Sequence, residues 1–370
     1  MYAVKRKHRS VIPCVRAMRG RDTSVHFYIT IMAGMEDEWK IRMDCRKNVT
    51  NYKDCRIQGG QVMDKNTIVI GIDHGWSQMK TAGSVFTSGV REITTEPALF
   101  DNVVQYKGKY YKVGGNRLEV KEDKVSDDSF YILTLAAVAK ELELRGKRNA
   151  HVLIAAGLPI GRFGAEKQGF IDYLKREREV SFRFEKKQYR ITVERVSVYP
   201  QCYGAVADRI KDFSQKELVA DIGSWTIDMV PVIGHSPDES LCVTVPEGII
   251  TCMRRINEQS VRLLNGQIDE SAIQEVMMKG SNDFLETEYL EIVKKEIAAY
   301  AKKVFRMIGE QGYNLKTTPI TFVGGGAVMM KLFGELNQKN IRYIEDVKAN
   351  AKGYEYLGNI YLNRVLKHFA

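Results

Sequence analysis

The feature that most constrains the fold is an apolar strand that ends in Asp-x-Gly and occurs twice in the chain. One copy ends in Asp73 and Gly75, the other ends in Asp221 and Gly223, and the two aspartates lie 148 residues apart. A short apolar run bounded by turn residues is typical of a buried strand. Because solenoid repeats recur every ~20–50 residues, this longer spacing predicts two similarly built domains that face one another.

Strands alternate with helices along most of the chain, a pattern typical of α/β folds. Apolar runs predict strands at residues 68–72, 151–154, 189–198, 217–220, 226–233 and 320–323. Helical spacing of apolar residues predicts helices at residues 129–145, 164–177, 201–211, 249–264, 270–278 and 286–308. The sequence therefore predicts an α/β fold in which each Asp-x-Gly turn follows a buried strand.

The chemistry that suits Asp-x-Gly is the binding of phosphate through a metal ion. Glycine lets backbone N–H groups approach a phosphate closely. A carboxylate at ~5 Å from a phosphate repels it by about 3 kcal/mol at an effective dielectric constant of ~20, and a hydrated Mg²⁺ between them reverses that sign. We therefore expect Asp73 and Asp221 to hold Mg²⁺ through water and Lys80 to contact the phosphates. A lone Asp-x-Gly would be an ordinary hairpin turn, but the paired copies favour a binding site.

A third glycine-rich turn follows the strand predicted at residues 320–323. Gly324, Gly325 and Gly326 lie between that strand and a helix, an arrangement that by itself is an ordinary βα turn. The segment lacks the G-x-G-x-x-G pattern of dinucleotide sites, because position 329 is Met, and the chain contains no P-loop pattern. In the first repeat, His74 is expected to have a turn or surface role, and Trp76 and Trp225 are expected to pack.

These motifs resemble those of the superfamily that contains actin, Hsp70 and sugar kinases. Residues 70–80 resemble its first phosphate loop, 219–228 its second, 323–327 its adenosine loop and 199–205 its first connecting helix. Residues 155–159 and 349–354 are most similar to bacterial actin-like plasmid-segregation ATPases of the ParM/StbA type. The resemblance covers residues 67–370, with the motifs in the same order.

The resemblance implies a two-lobed actin-like ATPase fold, with two ribonuclease-H-like domains around a nucleotide cleft. Domain I would span residues 63–217 and domain II residues 218–370, with the C-terminal helix returning toward domain I. ATP and Mg²⁺ are the implied cofactors, and Gln201 and Asp221 would position the attacking water. The nucleotide itself would be bound by Asp73, Gly75, Lys80, Gly223, Ser224, Gly324, Gly325 and Gly326.

The implied function is ATP hydrolysis coupled to head-to-tail filaments, which would segregate plasmid or other DNA through a DNA-bound adaptor protein. A non-filamentous kinase, a chaperone-like protein or a regulatory ATP-binding protein of the same superfamily remains the alternative. Head-to-tail contacts that do not close into a ring generate filaments.

The first 62 residues differ from the rest of the chain in charge. They contain 13 Lys and Arg against 6 Asp and Glu, whereas residues 63–370 contain 43 against 40. We expect residues 1–62 to be a disordered basic arm or a translated leader that precedes a true start at Met63, since the codons of Gly59 and Gly60 can form a ribosome-binding sequence.

The nearly neutral remainder predicts no direct binding of nucleic acid. No apolar run reaches the ~20 residues of a membrane helix, so no membrane attachment is expected. The 6 cysteines form no C-x-x-C pair, which favours a reducing cytoplasm.

Overall fold

The computed structural model describes residues 63–121, 123–336 and 338–367 in full, together with the backbone of residues 368–369 and of four earlier strands. The chain divides near residue 63 into two compact units, residues 1–63 and residues 64–368. In the first unit, the described strands form an antiparallel sheet in chain order: β1 (Cys14–Arg19), β2 (Val25–Ala33), β3 (Asp37–Cys45) and β4 (Arg56–Gln58).

This sheet differs from the disordered segment expected for residues 1–62. β2 is rich in β-branched and aromatic residues, which favour strands. The other residues before Met63 lie outside the described part of the chain. The interpretation of this segment as an arm or a leader therefore stays a prediction.

In the second unit, the strands described between residues 68 and 200 form one nine-stranded sheet with the order β7-β6-β5-β11-β13-β12-β9-β10-β8. Its central strands β5, β11 and β13 run parallel. The strands are β5 (Ile68–His74), β6 (Gln78–Thr81), β7 (Val85–Thr87), β8 (Val90–Ile93), β9 (Val103–Tyr106), β10 (Lys109–Val113), β11 (Asn149–Leu158), β12 (Glu179–Phe184) and β13 (Lys187–Pro200). Helices α1 (Ser129–Leu144) and α2 (Phe163–Leu174) lie between them in the chain.

A second sheet follows, with the order β16-β15-β14-β18-β19 and with β17 paired to β15. Its strands are β14 (Lys216–Ile222), β15 (Ile227–Ile233), β16 (Ser236–Pro237), β17 (Val243–Val245), β18 (Ile320–Val323) and β19 (Ile341–Ile344). The remaining helices are α3 (Tyr203–Val206), α4 (Ile249–Leu264), α5 (Glu270–Lys279), α6 (Thr287–Glu310), α7 (Gly325–Phe333) and α8 (Ala349–Phe369).

The two sheets share one local plan, as the repeated motif predicted. In each, the strand that carries the aspartate forms an antiparallel hairpin with the next strand and lies parallel to a third strand on its other side: β6-β5-β11 in the first sheet and β15-β14-β18 in the second. β5 is buried on both faces from Val69 onward, as expected for a strand in the interior of a parallel sheet. The mixed α/β prediction is confirmed.

Separate hydrophobic clusters form behind the two sheets. Helix α1 is buried along most of its length and packs with Ile70, Ile72 and Val152 of the first sheet. Helices α4 and α6 bury one face each against the second sheet, including Ile256 and Ile297. Burying a side chain of this size contributes about 1.5–3 kcal/mol, so these faces fix where the helices lie. Within the described residues, no helix is long and apolar enough to cross a membrane.

Helix α8 contacts the strand that carries Asp73. The side chain of Glu355 accepts a hydrogen bond from the backbone N–H of Gly71 at 3.3 Å and binds Arg145 at 3.0 Å. The fully buried ring of Tyr354 lies against Gly157 and Gly204, where a larger residue would collide with it. The helix thus packs on the first sheet. The boundary proposed between residues 217 and 218 stays a prediction.

Candidate functional site

Two matching hairpins present the predicted aspartates. In the first, Asp73 of β5 lies directly across from Lys80 of β6. In the second, Asp221 of β14 lies directly across from Asp228 of β15. In both pairs the two residues are seven positions apart in the chain, so the two turns place side chains at equivalent positions. The first pair joins a carboxyl group and an amine, and the second joins two carboxyl groups.

Asp73 contacts two of the other predicted site residues, Lys80 and Gln201. Its carboxylate is almost fully buried, Lys80 Nζ lies 3.4 Å from Oδ2, and Gln201 Nε2 donates a hydrogen bond to Oδ1 at 3.3 Å. Gln201 therefore contacts the carboxylate of the first hairpin. Its predicted cooperation with Asp221 in orienting water stays a prediction.

A strained turn holds Gln201 in this position. Cys202 has φ 63° and ψ −56°, and the N–H of Tyr203 donates to the carbonyl of Gln201 at 2.7 Å, which together define the less common kind of γ-turn. The N–H of Gln201 also donates to the carbonyl of Leu158 at 2.8 Å. The helix predicted over residues 201–211 is therefore wrong in extent, because tertiary hydrogen bonds hold residues 201 and 202 outside it. Backbone in such a region costs roughly 1–3 kcal/mol.

Asp221 is stabilised by a residue from the far end of the chain. Asn350, in the first turn of α8, donates from Nδ2 to Asp221 Oδ2 at 2.8 Å. Burial is the main cause that raises the pKa of Asp221 to about 7. The carboxylates of Asp228 and Asp73 raise it further, whereas Lys80 and the hydrogen bond from Asn350 lower it.

Asp228, the cross-strand neighbour, accepts hydrogen bonds from Thr226 Oγ1 at 3.0 Å and Thr244 Oγ1 at 2.5 Å. Burial raises the pKa of its carboxyl group, and these two bonds oppose that shift. These two bonds therefore hold the carboxyl group of Asp228 in a fixed position beside Asp221.

His74 does not have the turn or surface role expected from the sequence. Its side chain is fully buried because β5 continues through residue 74, and successive strand residues point to opposite faces. Nε2 lies 2.9 Å from Thr134 Oγ1, whose proton is donated to the carbonyl of Phe130, so His74 is the donor from Nε2. Burial lowers the pKa of His74 to about 3, and the imidazole is neutral at ordinary pH.

The glycines of the three loops are required for different reasons. A Cβ at Gly75 would lie 2.6 Å from the carbonyl oxygen of Gln78, and one at Gly223 would lie 3.2 Å from that of Thr226, so both hairpin turns depend on close backbone approach. The carbonyls of Gly223 and Ser224 also accept hydrogen bonds from the first N–H groups of α4.

In the third loop, Gly324 has φ 76°, a conformation that favours glycine, and a Cβ there would lie 3.3 Å from Asp221 Oδ1. A Cβ at Gly326 would collide with Ile222, whereas one at Gly325 would only make ordinary contact with Val347, at 3.5 Å. The third loop therefore lies beside Asp221, and Gly325 is the glycine whose own surroundings leave room for a side chain.

Sequence reasoning missed three residues of this site: Asp228, Asn350 and Lys124. Asp228 had a signal, because it follows Asp221 at the same spacing by which Lys80 follows Asp73. Asn350 had none, since its partner lies 129 residues away in the chain. Lys124 lies in a segment of mixed charge that is typical of a solvated surface, yet the structure buries it.

The oxygen atoms at the two hairpins fit a metal ion that is held largely through its water ligands. Among the residues that the structure describes, no group of three or more His, Cys, Asp or Glu side chains is close enough to hold a metal. Buried polar atoms without a partner are found at Ser77 Oγ in the first loop and Asn350 Oδ1 beside Asp221. Carboxylates, an amide and a hydroxyl are oxygen donors of the kind that a hydrated Mg²⁺ accepts.

Comparison with known proteins gave matches to one family and one fold. Residues 71–204 match the family model described as the N-terminal domain of actin-like proteins. No curated protein sequence matched. The solved structures that match include Ta0583, an archaeal actin homologue, at 19% identity and a TM-score of 0.66, covering 80% of this chain and 100% of that one.

Two further structures have the same fold. Bacillus thuringiensis ParM with ATP matches at 14% identity and a TM-score of 0.62, covering 80% of this chain and 99% of that one. The Alp12 filament structure matches at 17% identity and a TM-score of 0.59, with the same coverage. This chain therefore has the actin-like fold, and its residues 71–204 match the model of the actin-like N-terminal domain, which agrees with the resemblance.

Proposed function

We propose that this protein binds ATP with Mg²⁺ between its two hairpins, hydrolyses it, and assembles head to tail into filaments. The observation that carries this proposal is the pairing of Asp73 and Asp221 on matching hairpins of an actin-like fold. Ta0583 is known in complex with ADP and Bacillus thuringiensis ParM with ATP, which supports a nucleotide at the equivalent place. Alp12 is known as a filament, which supports assembly.

The roles of the residues follow from their charges and positions. Lys80 and the backbone N–H groups at Gly75, Gly223 and Ser224 would bind the phosphates. Asp73 and Asp221 would bind Mg²⁺ through its water ligands, and the bound ion would neutralise phosphate charge. Gly324, Gly325 and Gly326 would allow the adenosine to approach the backbone beside α7.

Hydrolysis requires an oriented water molecule more than it requires covalent chemistry from the protein. Gln201 is held beside Asp73 by the γ-turn at Cys202, and its amide can both donate and accept. We assign it to the attacking water, with Asp221 as the carboxylate that accepts a hydrogen bond from that water or from the hydration shell of the metal.

At the level of the cell, we propose that the filaments segregate plasmid or other DNA through a DNA-bound adaptor protein. The similarity of residues 155–159 and 349–354 to ParM/StbA proteins supports this role, and the near-neutral charge of residues 63–370 supports an indirect attachment to DNA. A non-filamentous kinase, chaperone-like or regulatory ATP-binding protein of this fold is the second candidate.

Light scattering with ATP, with ADP and without nucleotide tests the proposal. We expect a rise that requires ATP and decays as ATP is consumed, because hydrolysis would weaken the contacts between subunits. Nucleotide binding is measured in parallel by titration calorimetry. Binding without any rise at any protein concentration would favour the second candidate, and the absence of binding would refute both.

A further inference from the structure

Lys124 is a buried lysine beside the first hairpin. It lies between β10 and α1 with only 9% of its surface exposed, and its Nζ is 5.7 Å from the centre of the Phe130 ring. That ring packs in turn against Trp76, at 5.0 Å between ring centres, and against His74, at 6.2 Å. The ammonium group therefore lies next to the loop that follows Asp73.

The ammonium group of Lys124 has no ion-pair or hydrogen-bond partner among the residues that the structure describes. Burial is the largest influence and lowers its pKa to about 8, while Asp73, Glu166 and Asp228 act in the opposite direction and Arg162 adds to the lowering. Asp73 belongs to the first hairpin and Asp228 to the second. The charge of Lys124 is thus influenced by carboxyl groups of both hairpins, although Lys124 pairs with neither.

A largely buried cation that contacts only an aromatic ring is costly, because the ring replaces only part of the hydration that the ammonium group loses. Lysine is a compact point charge with three donors, which suits a phosphate oxygen. A nucleotide held by both hairpins would bring its phosphates to the turn that carries Trp76, and the ammonium group of Lys124 lies on Phe130, which packs against that tryptophan. Lys80, in contrast, is already beside Asp73.

We propose that Lys124 binds the terminal phosphate of ATP and so distinguishes ATP from ADP. The inference rests on the proposed function and adds to it a residue that recognises the state of the nucleotide. Because the cation is unpaired before nucleotide binds, Lys124 contributes to binding at the expense of the stability of the nucleotide-free protein.

The test compares Lys124→Met with the parent by titration calorimetry against ATP and ADP in Mg²⁺. Methionine keeps an unbranched apolar stem, so the packing on Phe130 is largely retained. We expect affinity for ATP to fall about tenfold to hundredfold, the range for losing a hydrogen bond to a charged group, with a change of less than about threefold for ADP. Lys121→Met is the matched control, since Lys121 is exposed and pairs with Asp127.

The melting temperature without nucleotide is the second readout. It should be unchanged or higher in Lys124→Met, whereas a lysine with a purely structural role would lower it. Lys124→Gln, measured in the same way, keeps the test valid if the methionine variant does not fold. If the ratio of ATP to ADP affinity is the same in Lys124→Met as in the parent, the inference about Lys124 is wrong. A lower melting temperature with both affinities reduced equally would also overturn it. Neither result would contradict the proposed function. A parent protein that binds neither nucleotide would overturn the proposed function as well.

Discussion

At the scale of single residues, the two hairpins differ in the cross-strand neighbour of the aspartate: Lys80 lies beside Asp73, but Asp228 lies beside Asp221. In the first pair the lysine compensates the carboxylate. In the second, burial is the main cause that raises the pKa of Asp221 to about 7, and the neighbouring carboxyl group of Asp228 raises it further. A carboxylate in that state is suited to accept a hydrogen bond from water or to gain a metal ion, which would favour its ionised form.

Replacing either assigned catalytic residue should slow hydrolysis, and assembly should survive in at least one of the two variants. We expect Gln201→Ala and Asp221→Ala to reduce phosphate release by roughly 10²-fold or more, the usual scale for one positioned group. At least one of them should still form filaments with ATP, and these should fail to disassemble. Paired phosphate-release and pelleting assays measure both effects, with Gln168→Ala on the exposed face of α2 as the control. Parental hydrolysis in both variants would show that the water-positioning residues are assigned wrongly.

His74 should make the stability of the protein depend on pH. The folded protein holds the pKa of His74 at about 3, below the 6.5 of an ordinary histidine, so the unfolded chain binds more protons between these values. The free energy of unfolding should therefore fall as pH decreases from 7, by about 2 kcal/mol at pH 5 from this residue alone.

The measurement is urea unfolding of the parent and of His74→Gln at pH 7 and pH 5. The variant keeps an amide donor toward Thr134 but does not titrate, so its loss of stability between the two pH values should be smaller. His235→Gln, at an exposed histidine, serves as the control. An identical pH dependence in parent and His74→Gln would mean that His74 is not buried as a neutral group.

At the scale of elements, the third loop offers a test that separates nucleotide contact from folding. Gly325→Val should weaken ATP binding and leave the melting temperature nearly unchanged, because the protein itself leaves room for a Cβ at that position. Gly326→Ala should instead lower the melting temperature, since its Cβ would meet the carbonyl oxygen of Ile222 at 2.5 Å. Calorimetry and thermal melting distinguish the two effects. Normal binding and assembly of Gly325→Val would mean that this loop is only a turn.

The elements that could be predicted from the sequence are those in which apolar residues form a continuous run or recur at helical spacing. Strand β18 and helix α4 have the predicted bounds, because an apolar run and an amphipathic stripe are determined by nearby residues alone. The short strands between residues 78 and 113 were missed, since each has only three to five residues of mixed polarity. The turn at Cys202 was missed for another reason, because distant hydrogen bonds override the local preference for helix there.

At the scale of the whole molecule, the two hairpins carry three carboxyl groups from two sheets: Asp73, Asp221 and Asp228. ATP should therefore bind strongly only with Mg²⁺, which compensates the repulsion between these groups and the phosphates. A ligand that binds only the folded state raises the melting temperature, and at a given concentration it raises it more the tighter it binds.

We expect ATP to raise the melting temperature with Mg²⁺ and to raise it much less with EDTA. ADP under both conditions is the internal comparison, because it carries less charge. An equal shift by ATP with Mg²⁺ and with EDTA would show that the carboxylates do not face the polyphosphate.

The protein contains three tryptophans, and two of them lie in the turns of the two hairpins: Trp76 packs edge-on against Phe130, and Trp225 has a buried Nε1 without a hydrogen-bond partner. Each hairpin therefore carries its own intrinsic fluorophore. Trp76→Phe and Trp225→Phe would each leave a single emitter in the loops, so the arrival of nucleotide could be followed optically at one hairpin at a time, in unlabelled protein and on the timescale of mixing.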